Sequence, residues 1–473
     1  MTDTDTMPPG WSTGNLGYLL ASVSKTQPRK WSEQRLFGYL DIGSVDNTSH
    51  RIIEVRAVRS EEAPSRAQQV VQAGDVLFST VRTYLENIAV VPDRAEFDDL
   101  IASTGFCVLR PMKGVNGRYL FYLCLEPSLL AAMAARQTGT SYPAIRDEDL
   151  RDHRVLVPPS AEQGRIAAEV ERRLSHIDAA EASLDSALRK TQKARVAVLR
   201  TATDGSLLAF DLAGDATKEC EAAGVAYETV ADRPGWARVR LRDIAKVGSG
   251  ATPKRGNPRY WDGGTIPWVT SGQVVGGVVH EPAELITDAA LKETSVKLWP
   301  VGTLLVAMYG EGRTRGHCAE LAIEATCNQA CAAISLHPDL ADAQPFVKLV
   351  LQARYEENRV LGSGGVQENL NLGLIRDITI DLPPQDVRNA LGAEADRRLS
   401  LLAVAEAGIA KQRARCSSAR RSVLSAAFAG RLVPQDPTDE PADQLLERIS
   451  ADRATATLTK RTRRRRITQE TAK

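Results

Sequence analysis

Four residues with metal-binding side chains, His317, Cys318, Cys327 and Cys331, fall close together in the chain. Zinc sites are commonly made from four such ligands, but their spacing here contains no Cys-x-x-Cys pair, and Cys327 and Cys331 sit in an apolar, strand-like stretch. They read as buried thiols, and no metal is expected. Gly248-Ser249-Gly250 begins like a dinucleotide loop, but Thr252-Pro253 follows where the third glycine should stand. No Gly-x-x-x-x-Gly-Lys-Ser/Thr is present to cradle ATP, and no Asn/Asp-Pro-Pro-Tyr/Phe to methylate a base. The six histidines are scattered, and nothing supports a triad among them. The expectation is a chain with no catalytic centre and no cofactor of its own.

The elements that carry these residues come in two copies. At a fixed shift of 225 residues, Gly10-Trp11 returns as Gly235-Trp236, Arg151-Asp152 as Arg376-Asp377, and Pro158-Pro159 as Pro383-Pro384. Arg172-Arg173-Leu174-Ser175 returns as Arg397-Arg398-Leu399-Ser400, and Gly205 and Leu207 as Gly430 and Leu432. That period is too long for a solenoid and indicates two copies of one domain-plus-helix unit. Between the anchors the copies diverge. Gly74-Asp75-Val76-Leu77-Phe78 matches Gly302-Thr303-Leu304-Leu305-Val306 only at a shift of 228. One frame therefore carries two different surfaces.

Each unit opens with about 145 residues rich in Val, Ile, Gly and Thr, where short apolar runs (75–79, 88–91, 303–308 and 330–336) lie between turn residues and predict strands. After each Pro-Pro the pattern turns helical. Ile177, Leu184, Thr191 and Val198 recur every seven residues, and Leu402, Ile409, Cys416 and Val423 repeat the register. A helix of about 40 residues is a rod of roughly 60 Å. Its apolar seam needs a partner, and its own repeat is the nearest. Ile177, Leu184, Val198, Leu402, Ile409 and Val423 are the expected packing positions.

The predicted organisation is α+β. A first domain spans 11–157, a helix 158–203, a linker 204–235, a second domain 236–382, a second helix 383–430, and a C-terminal segment 431–473. Hydrophobic residues at 43% and charged residues at 25% fit a globular protein rather than a disordered one. The net charge of +1 does not decide whether nucleic acid is a partner, because one face can be basic while the whole is neutral. Only the tail, with Lys460, Arg461 and Arg463 to Arg466, is plainly basic. Seven cysteines without disulfide-like density, no signal-like start and no membrane-length apolar run lead us to expect a cytoplasmic protein.

The run Leu241-Arg242-Asp243-Ile244-Ala245, then Gly248-Ser249-Gly250-Ala251-Thr252-Pro253, Tyr260-Trp261 and Ile266-Pro267-Trp268-Val269 resembles the start of a target-recognition domain in type I restriction-modification specificity subunits. Segments 77–85, 425–434 and 440–449 resemble that family too, so the likeness spans nearly the whole chain. The first unit departs from the pattern: Leu16-Gly17-Tyr18-Leu19-Leu20 replaces the clearer opening at 241–245, and no Thr-Pro follows. The resemblance implies two target-recognition domains, each followed by a long helix, the helices packed as an antiparallel coiled coil with pseudo-two-fold symmetry. It implies double-stranded DNA as ligand, with a bipartite target. It also implies two modification subunits that methylate adenine with S-adenosylmethionine, and motor-nuclease subunits that use ATP and magnesium.

On that reading the DNA contacts come from Arg, Lys, Asn, Gln, Ser, Thr and aromatic residues in turn-rich segments, since phosphate contacts position a protein and base-edge contacts specify sequence. In the first domain these are Arg66, Arg82, Thr83, Tyr84, Gln137, Thr140, Ser141 and Tyr142. In the second they are Lys254, Arg255, Tyr260, Ser271, Gln273, Arg313, Arg315, Ser363, Gln367 and Asn369. Trp268 and Tyr39 read as core aromatics. Two other readings stay open at this point: a coiled-coil DNA-binding regulator without enzyme partners, and a stand-alone modification enzyme with degenerate motifs.

Overall fold

The computed structural model describes residues 7–31, 33–93, 97–209, 214–309, 314–355 and 370–455. The chain divides into two compact units, one made of residues up to 184 together with 411 onward, the other of residues 185–410. Each expected strand run forms a strand: Val76–Ser79, Ile88–Val90, Leu304–Ala307 and Cys331–Leu336.

In the first unit a four-stranded sheet has the order Leu20–Ala21, Phe106–Pro111, Val76–Ser79, Ile88–Val90. Its central strand is buried along its whole length, because alternate residues serve two cores. Val76 and Phe78 join the cluster containing Leu16, Tyr119 and Phe428, while Leu77 joins one with Leu40, Val71 and Phe106. A second sheet, Arg56–Arg59, Leu36–Leu40, Leu100–Ser103, Ala67–Val71, lies on the latter core. Ser12–Asn15 pairs antiparallel with Arg154–Val157, which brings the start of the domain to its end.

The second unit repeats this frame. Ala237–Arg240 pairs antiparallel with Thr379–Leu382, and the register Ala237↔Leu382 is Ser12↔Val157 moved by 225 residues. The pair Phe106↔Ser79 returns as Cys331↔Ala307, shifted by 225 on one strand and 228 on the other. The insertion inferred from sequence therefore falls between two strands and leaves their pairing intact. Leu16–Leu19 and Leu241–Ile244 each form a short helical turn despite their different sequences. Cys318, Cys327 and Cys331 are buried strand residues, and burial pushes the Cys318 thiol up to about 12.

The segment 204–235, read from sequence as a linker, forms part of the second unit's core. It contains the helix Ala216–Ala222, and Ala216, Cys220 and Val230 are buried beside Trp236. Its counterpart in the first unit is the C-terminal helix at 442–455, with Leu445 and Ile449 buried beside Trp11. The Ala216 N–H donates to the Gly235 carbonyl at 2.8 Å, and the Ala442 N–H donates to the Gly10 carbonyl at 2.8 Å. Each unit is thus completed by the segment that follows the long helix arriving from the other copy. The apolar positions of 204–235 are too few to show as a periodic run, which is why composition alone suggested a linker.

Two long helices, Ser160–Asp204 and Gln385–Phe428, start immediately after the Pro-Pro pairs. The first free turn is closed alike in both: the Gln163 N–H donates to the Pro159 carbonyl and the Arg388 N–H to the Pro384 carbonyl. Glu169 binds Arg172 and Arg173, and Glu394 binds Arg397 and Arg398, so each pair of arginines holds its carboxyl down at about 2. In the first unit Ile166, Val170 and Leu174 share a core with Leu424, Ala427 and Phe428. Val198, Leu199 and Ala202 share one with Val387, Leu391 and Ala395 in the second. Among the expected packing positions Val198 is buried, while Ile177, Leu184, Leu402, Ile409 and Val423 are half-buried. Full burial is reached at the helix ends, where a domain covers the helices from a further side.

Arg420 binds Glu181 at 2.8 Å and Asp178 at 2.6 Å within the first unit. Arg195 binds Glu406 at 3.2 Å within the second. Positions 195 and 420 are repeat equivalents, as are 181 and 406, so both units contain one Arg–Glu bond with the helices exchanged.

Arg388 and Gln163 are also repeat equivalents, and each donates to the carbonyl of the first proline of its pair. Gln163 needs only neutral partners, accepting from the Asn116 N–H at 2.9 Å. Arg388, only 3% exposed, is instead held by Glu219 and Asp342. Removing Arg388 leaves Glu219 and Asp342 without their cation, and because these carboxylates are 27% and 34% exposed the cost falls below the about 3–5 kcal/mol of a fully buried group. Arg388→Ala is therefore expected to lower the unfolding midpoint of the second unit in guanidinium, whereas Gln163→Ala should act on the first unit and cost less. Equal losses for the two variants would show that the charge carries no special weight.

Candidate nucleic-acid interface

In the first unit, seven of the eight expected contact residues come together on two loops. The strand Val76–Ser79 ends on a buried hydroxyl pair: Ser79 donates to the Val81 carbonyl and Thr80 to the Gly105 carbonyl. The chain then makes the tight turn Thr83–Leu85, flanked by Arg82 (φ 49°) and Glu86 (φ 54°), both left-handed. A non-glycine residue costs about 1–3 kcal/mol there, so the surroundings must enforce it. They do so from two sides.

On one side lies the loop 137–145. The Arg82 N–H donates to the Pro143 carbonyl at 2.7 Å, the Gln137 amide donates to the Thr83 hydroxyl, and Thr83 is buried. The Arg82 guanidinium stacks 4.8 Å from the centre of the Tyr142 ring and donates to the Ser141 carbonyl at 3.4 Å. On the other side lies the hairpin around Val45–Asp46 and Arg51–Ile52. Its Asn47 amide donates to the Leu85 carbonyl at 2.9 Å, and His50 faces the backbone of Ile88 and Glu86. His50 is itself left-handed at φ 51°. Burial lowers the pKa of its imidazole and raises that of the Glu86 carboxyl. His50, Arg82 and Glu86 are the left-handed non-glycine residues among those described, and they meet here. Tyr84 and Tyr142 stand outward, 57% and 71% exposed. Thr140 is exposed on the same loop as Ser141, and Arg66 is exposed on the turn whose carbonyl accepts the Thr104 N–H.

The second unit arranges its candidates differently. Arg255 is clamped: its guanidinium lies 4.0 Å from the Trp261 ring and 4.8 Å from the Trp268 ring, and it binds Glu284 at 2.5 Å. Trp268 is buried and donates to the Ala251 carbonyl, so this knot pins the glycine-rich loop to the strand Ile266–Val269. Lys254 is exposed beside it, and the half-buried Tyr260 donates to Glu293. Both ends of the Gln273 amide serve the turn Ser271–Gly276, accepting from the Thr270 N–H and donating to the Glu281 carbonyl. Ser271 begins that turn, and Arg315 is half-buried at the approach to the strand Cys318–Leu321. Arg313, Ser363, Gln367 and Asn369 lie outside the described residues, as does the basic tail. Trp268 and Tyr39 are buried at 2% and 3% exposure.

Sequence reading missed Asn47, His50 and Glu86, which hold the turn at 82–86. The cluster Asp46-Asn47-Thr48-Ser49-His50 does mark a turn. Nothing in it tells which distant loop it will brace.

A frame of short strands and long helices thus carries turn-borne Arg, Tyr and Gln side chains in both units. The family model for the type I restriction modification DNA specificity domain matches residues 43–184 and 234–388, and the chain belongs to that family. It is 24% identical over 292 residues to the type I restriction enzyme MjaIX specificity subunit of Methanocaldococcus jannaschii. That match covers 61% of this chain and 63% of the relative, less than two thirds of its length. Among solved structures, a chain from work on complex assembly and conformational transition of the type I R-M system aligns with TM-score 0.73 and 24% identity, covering 90% of this chain and 99% of that one. The HsdS subunit from Thermoanaerobacter tengcongensis aligns with TM-score 0.52 and 24% identity, covering 90% and 98%. These likenesses support the fold. Among the described residues no helix is long and apolar enough to cross a membrane.

Proposed function

We propose that this chain recognises a bipartite sequence in double-stranded DNA, each recognition domain reading one part, and that it directs adenine methylation and ATP-dependent cleavage carried out by partner subunits. The observation that supports this most strongly is a frame repeated to the hydrogen bond that carries two unlike surfaces: a strained Arg–Tyr turn in one domain, a clamped Arg255 in the other. A frame kept this closely while its loops diverge suits two sites that do the same task on different sequences. The reciprocal Arg195–Glu406 and Arg420–Glu181 bonds support an antiparallel helix pair with pseudo-two-fold symmetry. The partners are two modification subunits and the motor-nuclease subunits. S-adenosylmethionine, ATP and magnesium belong to them, this chain binds no cofactor, and the complex works on DNA in the cytoplasm.

The test of this division of labour is turnover. The purified chain, incubated with DNA, S-adenosylmethionine, ATP and magnesium, is expected neither to methylate nor to cleave. Adding the modification subunits should restore methylation at a single bipartite motif, detected by methylation-sensitive sequencing. Reproducible turnover by the chain alone would overturn the reading.

A further inference from the structure

Resting on that reading of the first domain as a DNA reader, we propose that the turn 82–86 is a preformed hook in which Arg82 takes one backbone phosphate while Tyr84 and Tyr142 face the bases.

The cation comes first. Arg82 is half-buried, and among the described residues no carboxylate pairs with it; its one side-chain hydrogen bond is the long 3.4 Å contact to the Ser141 carbonyl. Its Nε is buried without a partner. A guanidinium carries five donors, so most of this one's capacity is unused in the free protein. Arg255 in the other domain shows the contrast, since Glu284 already balances its charge and two tryptophans hold it.

The backbone comes second. Left-handed non-glycine residues persist only where surrounding structure over-determines them, and such strain gathers at binding and switch sites. All three among the described residues, His50, Arg82 and Glu86, brace this one turn. Stacking on Tyr142 and the bond from the Arg82 N–H to Pro143 fix the side chain before any ligand arrives, which lowers the ordering entropy lost on binding.

The division of roles follows from geometry. With one face on a ring and one edge on a backbone carbonyl, Arg82 is not poised for the two parallel bonds by which a guanidinium reads guanine, whereas a phosphate oxygen accepts from many directions. Tyr84 and Tyr142 project from adjacent loops, and a phenol offers both a donor-acceptor hydroxyl and an apolar ring to a base edge.

The experiment uses the full chain assembled with modification subunits. The probes are a duplex carrying the motif found by methylome sequencing and two duplexes scrambled in one half each. Arg82→Gly suits the left-handed backbone while deleting the charge, and Arg82→Ala is its strained counterpart. Both are expected to weaken binding roughly tenfold on matched and scrambled duplexes alike. The slope of log affinity against log salt should become shallower by about one unit. Tyr84→Ala and Tyr142→Ala should relax the methylated motif within one half only. An unchanged salt slope in Arg82→Gly, or a loss confined to one base pair, overturns the phosphate assignment. An unaltered motif in both tyrosine variants overturns theirs. If the unmodified complex does not prefer the matched duplex at all, the DNA-reading function itself fails, whatever the variants do.

Discussion

Exchanging residues 11–157 for the corresponding region of another specificity subunit is expected to replace one half of the recognised sequence and leave the other half as it was. The boundaries are set by pairing rather than by similarity. Ser12 and Val157 are partners in one antiparallel ladder, so a cut outside them transfers both strands and exposes no unpaired edge. Among the connections that the incoming domain must rebuild, three reach the long helices or the C-terminal helix. Trp11 Nε1 donates to Glu162 at 2.9 Å, Tyr119 packs on Phe428 with ring centres 5.3 Å apart, and Arg453 of the C-terminal helix donates to the Gly17 and Leu20 carbonyls. Two of the three ask little of the donor sequence, since the carbonyls are backbone and an aromatic at position 119 suffices. The indole at position 11 matters more, because losing it leaves a second oxygen of the buried Glu162 without a partner, at a cost of about 1–3 kcal/mol or more. A donor with Trp at that position should give a chimaera that assembles. Methylome sequencing of a host carrying it should show a new motif in one half. If both halves changed together, the assignment of one part to each domain would be wrong.

How much of this was legible beforehand divides along a physical line. The duplication, the four strand runs and the helix starts could be read, because each rests on local rules: apolar runs between turn residues, proline tolerated only in the first helical turn. The 228-residue offset at Leu304–Ala307 even located the insertion that the strand pairing shows. The role of 204–235 was not legible. Ala216 and Cys220 are small and not strongly apolar, and only the tertiary bond from Ala216 to Gly235 makes that segment core. The candidate site divides the same way. Arg82, Tyr84 and Tyr142 could be chosen by residue type and by lying in turns, but their meeting depends on Pro143, Gln137 and Asn47 reaching across gaps of dozens of residues. Residue type also cannot separate Arg82 from Arg255. One lacks a carboxylate partner and the other has Glu284, a difference that exists only in three dimensions.

Inserting four residues into each long helix, after Ser186 and after its repeat equivalent Lys411, should lengthen the gap between the two half-sites without changing their bases. Both insertion points fall within two residues of where one compact unit gives way to the next, at 184/185 and 410/411. The cores that hold Ile166, Val170 and Leu174 in one unit and Val387, Leu391 and Ala395 in the other are therefore left whole. The Arg420–Glu181 and Arg195–Glu406 bonds lie on either side of the insertions and keep their registers too. Four residues are slightly more than one turn, so the apolar face returns nearly in phase and the helices grow by ~6 Å, close to two base pairs at ~3.4 Å each. Two residues instead would turn the following segment by roughly 200° and set the half-buried Ile177 and Leu184 out of phase with Val198. That variant is expected to lose assembly with the modification subunits and all methylation. The two outcomes together identify a ruler, because flexible joints would tolerate both insertions and a purely structural helix would tolerate neither. Methylome sequencing decides between them: an active four-residue variant with an unchanged gap would show that the helices do not set the spacing.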